Sequence, residues 1–156
     1  WMLNDSRGVY HPNWGTTLSW SSSDGHYRQI LGADTGLDLS QHQALGFRIM
    51  QRHDDSRNSD DPVNLTLRLT DQLGNAASVA LSTATQGALR PNPAVGAGTN
   101  AKSVYETYRL PLSAFTDNNP DLQLENMLWV DWVFDRTSTG SITIDDVVFA
   151  HAGLCD

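Results

Sequence analysis

At 156 residues, 39% apolar and 18% charged, the chain has the length and balance of one globular domain and is too apolar for a disordered one. Ten Lys+Arg against eighteen Asp+Glu give a formal charge of −8, which argues against nucleic acid as a partner, since a phosphate backbone asks for a basic footprint. No apolar run approaches the roughly 20 residues that a membrane span needs, so a membrane is not an expected partner.

Taken in chain order, the signal is period two with turn residues between. The opening at Trp1, with neither an initiator Met nor a signal peptide, leads us to expect one module over 1–156, excised from a longer exported protein or left as a mature product. "GTTLSW" and "HYRQILGA" are the first two predicted strands, joined by the polar turn "SSSDG". "ALGFRIMQR" follows, with Leu45, Phe47 and Ile49 on one face and Arg48, Met50 and Arg52 on the other. After the acidic stretch "HDDSRNSDDP", "VNLTLRLTD" alternates Val63, Leu65, Leu67 and Leu69 with Asn64, Thr66, Arg68 and Thr70. Gly74-Asn75 in "DQLGN" predicts a hairpin into "ASVALS". A glycine- and proline-bearing stretch over 85–102 separates these strands from "SVYETYRLPL". In "LPLSAF" one helical turn is expected, capped by Ser113, before "NMLWVDWVFDR" and the final "SITIDDVVFA". About eight strands with no helical partner predict an all-β fold, a jelly-roll β-sandwich of two antiparallel sheets.

The last strand poses a problem. In strict alternation Asp146 shares its side with Ile142 and Ile144, while Asp145 shares its side with Val147 and Phe149. Whichever face is core, one carboxylate stands in register with apolar neighbours, and a bare buried carboxylate is costly. A hard cation taking oxygen ligands removes that cost; so would a bulge that lets both acids reach solvent, or pairing with an arginine. The acidic loop holds Asp54, Ser56, Asn58 and Asp60 at alternate positions, but Ser59 stands where a calcium loop needs glycine, so a solvated hairpin tip is expected there.

The order "DLSQHQALGFRIMQR", "LTLRLTDQLGN", "YRLPLSAF", "GSITIDDVVF" resembles the galactose-binding-like β-sandwich over roughly residues 16 to 150. That superfamily includes many carbohydrate-binding modules of secreted bacterial polysaccharide-degrading enzymes. The resemblance implies a structural Ca2+ with Asp145 as a ligand, and further ligands from near the first strand and the loop after it, Asp5 or Asp34 here. It also implies a concave sheet whose outward residues bind a glycan chain.

Nine of the ten cations are arginine, and Arg48, Arg68 and Arg109 each fall mid-strand on the polar side of an alternating pattern. Tyr105 shares Arg109's side, and Trp129 shares a face with Asp131. An aromatic face for the apolar side of a pyranose, with planar donors and a carboxylate for its hydroxyls, is what sugar binding asks for. Arg48, Arg68, Tyr105, Arg109, Trp129 and Asp131 are therefore the expected ligand-binding residues, and an arginine-lined groove favours a uronic-acid or sulfated polymer. The competing reading pairs these arginines across strands with Asp131, Glu106 or Asp135. Trp14, in the turn-like "HPNWG", is a further possible sugar platform.

No motif for an enzyme is present: no G-x-S-x-G, no H-E-x-x-H, no P-loop, and only Glu106 and Glu125 as glutamates. The five histidines show no ligand spacing, and the single Cys155 leaves no internal disulfide. The expected function is a non-catalytic, calcium-bearing carbohydrate-binding module, secreted with the catalytic domain of the same polypeptide. The alternative is a structural or protein-interaction sandwich without a glycan ligand.

Overall fold

The computed structural model describes residues 2–3, 15–32, 35–52, 55–58, 62–84, 89 and 105–151. The strands are β1 (Met2–Leu3), β2 (Thr16–Trp20), β3 (Gly25–Ile30), β4 (His42–Gln51), β5 (Thr66–Asp71), β6 (Ala76–Ala80), β7 (Glu106–Pro111), β8 (Met127–Phe134) and β9 (Gly140–His151), with short helices α1 (Leu81–Ala84) and α2 (Ser113–Asn118). They form two sheets, ordered β1-β2-β9-β4-β7 and β3-β8-β5-β6, antiparallel throughout. All eight predicted strands are present, and the two-residue β1 is an addition.

Alternation supplies both inner faces. Leu45, Phe47 and Ile49 of β4 and Ile142 and Ile144 of β9 are buried, as are Leu67 and Leu69 of β5 and Val130 and Trp132 of β8. Phe47 meets Trp132 edge to face, with centroids 4.9 Å apart, across the two sheets. Each such side chain contributes about 1.5–3 kcal/mol by leaving water. At one end Trp20 stacks on Phe134 at 4.4 Å, and its indole donates to the Thr137 carbonyl. Gly140 lies so close under the Trp20 ring that a Cβ there would enter it.

The acid pair in β9 is resolved by a bulge, so the expectation that one carboxylate faces the core is corrected. Gly46 pairs with Val148 but Arg48 pairs with Asp145, so β9 carries one residue more than β4 across this interval. Asp146 is the only non-glycine residue with positive φ, 49°, among those described. This left-handed step is tolerated by aspartate better than by most residues. It resets the alternation: Ile142 and Ile144 point inward before it, and Val147 and Phe149 pack against the same core after it. Asp145 is left half-buried and Asp146 exposed.

The hairpin at Gly74 forms as predicted, with φ at 87° where glycine alone is unstrained. It is tied by Asp71, nearly fully buried, whose carboxylate accepts from the backbone N–H of Leu73, Asn75 and Gln123 and from the Asn75 amide. Burial would push this carboxyl up; the four donors outweigh it and hold it below the usual carboxylate range. Ser113 is not a cap. Leu112 takes the cap position with helical dihedrals, held by core burial and by its N–H on the Gln43 carbonyl, so Ser113 falls inside the first turn of α2.

Candidate functional site

The six expected ligand-binding residues do not form one surface. Arg68, Trp129 and Asp131 lie on the outer face of the β3-β8-β5-β6 sheet, whereas Arg48, Tyr105 and Arg109 belong to the β4-β7 side of the other sheet. Period two tells which residues share a strand face; it does not tell which sheet a strand joins, because that depends on pairing between strands far apart in sequence.

On the first of these faces, register places Arg28, Asp131, Arg68 and Ser78 in one row across β3, β8, β5 and β6. The next row is Ile30, Trp129, Thr70 and Ala76. Asp131 is wholly buried and shared by two guanidinia: Arg28 donates from Nε and Nη2 at 2.7 and 3.0 Å, and Arg68 from Nε and Nη2 at 3.3 and 3.1 Å. Burial would raise the Asp131 carboxyl; Arg28, and after it Arg68, overcome that and hold it below the usual carboxylate range. Arg28 also lies over the Trp129 ring, 4.1 Å from its centroid. Trp129 is half-buried, and its indole N–H is buried without a partner among the described residues. Beside it, Ile30 is 68% exposed. Arg28 was missed by sequence reasoning, although "HYRQIL" gives it the same mid-strand outward place as Arg48 and Arg68.

On the other sheet, Arg48 donates to Asp146 at 3.2 Å and lies 5.0 Å over the Tyr105 ring. Burial and then the Asp145 charge push the Tyr105 hydroxyl up, with Arg48 opposing them. That hydroxyl sits where a side chain at Gly15 would be. Arg109 is exposed on β7, opposite Gly46. Across the sheet from it Val148 is 54% exposed, but Thr17, Met50, Ser141 and Thr143 are all buried, so this face is open only on its β7 side.

The expected calcium ligands are represented here by Asp145 alone. One of its oxygens accepts from the Asp146 N–H at 2.9 Å, and Arg48 supplies a positive charge to the neighbouring acid. No group of three His, Cys, Asp or Glu converges among the described residues. Asp5 and Asp34 lie outside them, as do Trp14, Asp54 and Asp60. In the acidic loop, Asn58 exchanges hydrogen bonds of 2.7 Å with the Ser141 backbone, and Asp55 pairs with Arg57. At that end of the sandwich a cleft of about 480 Å³ runs past Trp20, Asp24, His26, Arg57 and Phe134. Its walls come from separate segments, so no local pattern announces it.

No protein-family model matches this chain, and no curated protein matches it in sequence. Solved structures do match in fold. A family 30 carbohydrate-binding module of a cellulosomal cellulase of Clostridium thermocellum superposes with a TM-score of 0.70 at 12% identity, over 97% of this chain and 82% of that one. A family 11 carbohydrate-binding module from the same organism, in complex with a β-1,3-1,4-mixed-linked tetrasaccharide, gives 0.59 at 14% identity, over 97% and 95%. An exo-β-agarase gives 0.61 at 14% identity, with 97% of this chain matching 22% of the enzyme. The chain thus has the β-sandwich fold of carbohydrate-binding modules.

Proposed function

We propose that this chain is a non-catalytic carbohydrate-binding module that binds polysaccharide on the outer face of the β3-β8-β5-β6 sheet and keeps an attached enzyme at its substrate outside the cell. The observation that carries the proposal is the row of Arg28, Asp131 and Arg68 beside Trp129 and Ile30 on the outer face of this sheet, where Arg28 and Ile30 are exposed, in a fold shared with known modules. Donors locked by a buried carboxylate are pre-organised, so little rotamer freedom is left to lose when a sugar docks. Tethering would act by effective concentration, raising the enzyme's encounter rate with a polymer it already holds. Arg48, Tyr105 and Arg109 offer a smaller second surface, interrupted by the Arg48–Asp146 pair.

Affinity electrophoresis of the isolated chain through gels containing neutral, uronic or sulfated polysaccharides tests the proposal. Retardation by at least one polymer, relieved by Trp129→Ala, is the expected result. Migration unaffected by every polymer would favour the interaction-domain alternative.

A structural calcium ion on Asp145, completed by Asp5 or Asp34, belongs to the same proposal and is supported by the resemblance and by Asp145's outward place at the bulge. The Arg48–Asp146 pair is the competing account, because it neutralises Asp146 without an ion. Calcium at a hundredfold excess over its dissociation constant stabilises by about 2.7 kcal/mol, so melting should shift upward in calcium and fall back with chelator. Coincident melting curves in both would discard the ion.

A further inference from the structure

We infer that the glycan taken by the β3-β8-β5-β6 face is anionic, carrying carboxylate or sulfate groups that dock on Arg28 and Arg68. This rests on the reading of that face as the binding surface and adds the substrate class to it.

Three observations converge. The first is charge: Arg28 and Arg68 share the single carboxylate of Asp131, which leaves one positive charge uncompensated among the described residues of this face, in a chain of net −8. The other charges nearby, Asp135 and Arg136, are paired with one another and both meet the Thr66 hydroxyl, so they do not cancel it. Among the described residues, exposed His26 on β3 also lies on this face.

The second is donor geometry. The bonds to Asp131 use one hydrogen each on Nε and Nη2 of each guanidinium, so the two Nη1 hydrogens and the second Nη2 hydrogen are left for a ligand. Arg28 and Arg68 reach in from the strands on either side of β8 and converge on the same Asp131 oxygen, so their guanidinia form one cluster able to meet a single anionic group. Their side chains are 39% and 36% exposed, open enough to be reached while their far edges stay anchored.

The third is the aromatic. A neutral pyranose stacking on the ring face of Trp129 that Arg28 covers must first lift the guanidinium away and break both of its bonds to Asp131. An anionic sugar leaves that arrangement intact and adds to it, because the guanidinium is the exposed partner.

The test is titration calorimetry of the chain with oligomers of polygalacturonate, of a sulfated galactan and of neutral mixed-linkage β-glucan, at 20 and at 200 mM NaCl. We expect binding to an anionic polymer that weakens several-fold at the higher salt, and a loss of about tenfold in Arg68→Gln. Arg28→Gln should lose anion binding and gain affinity for the neutral glucan as the indole is uncovered. The arms separate carboxylate from sulfate. Salt-insensitive binding of the neutral glucan, matching or exceeding that of both anionic polymers and indifferent to Arg68→Gln, would overturn the inference while leaving the module reading intact. Silence from all three polymers would remove both. Should the arginine variants not fold, the salt comparison on the unaltered chain decides alone.

Discussion

At the scale of single residues, Asp131 shows how a buried charge is made tolerable. A carboxylate with no exposed surface is stable only because two guanidinia from the neighbouring strands turn toward it. Asp131→Asn keeps the shape but removes the charge, and its amide N–H groups would face like donors. Because both arginines are more than a third exposed, water recovers part of the loss, and the expected destabilisation is about 2 kcal/mol rather than the larger cost of a fully buried pair. Urea melts at neutral pH measure it; a change below a few tenths would mean that the arginines are solvated and the row is not rigid. Asp131 was legible in the sequence as a residue sharing a face with Trp129, and Arg68 was legible as outward. That the two meet, and that Arg28 joins them from the opposite side, follows from strand register, which no single strand encodes.

At the scale of one element, β9 carries the clearest lesson. The sequence shows two acids between two apolar series, and strict alternation forces one acid inward. The strand instead spends one residue on a bulge, so the count rather than the chemistry changes. Deleting either acid yields the same chain, in which Ile142, Ile144, Val147 and Phe149 alternate without interruption. That variant should therefore fold, pair straight with β4 and lose only the exposed Arg48–Asp146 pair and the local bend, a change within about 1 kcal/mol. Asp146→Val keeps the bulge but puts a β-branched residue at φ 49°, and should be the more damaging of the two, at about 1–2 kcal/mol. Thermal melts of the pair check the order; a deletion variant less stable than the valine variant would mean that the bulge is needed for something beyond register.

At the scale of the whole molecule, the sandwich was legible because each strand announces itself by alternation and because turns such as Gly74-Asn75 require particular residues. The division of strands between sheets was not, and the single groove expected to join Arg48 to Trp129 falls with it. The same non-local wiring makes the fold sensitive to acid. Asp71 ties the β5-β6 hairpin to the segment leading into β8, Asp131 ties three strands, and Asp55 is held by the Arg57 backbone and charge; burial works against all three, yet their partners keep each below the ordinary range near 4. The folded chain therefore releases these protons at lower pH than the unfolded chain does. Below about pH 4 the unfolded chain binds more protons, so stability present at neutral pH is lost as pH falls through the folded-state values. The urea midpoint should be flat from pH 7 to about 5 and then decline steeply. Asp71→Asn, which keeps the shape but removes the charge that its four N–H donors face, should start lower by about 2–3 kcal/mol and decline less, its curve approaching that of the unaltered chain near pH 2. Parallel curves for the two chains across that range would show that Asp71 is not the group whose protonation opens the sandwich.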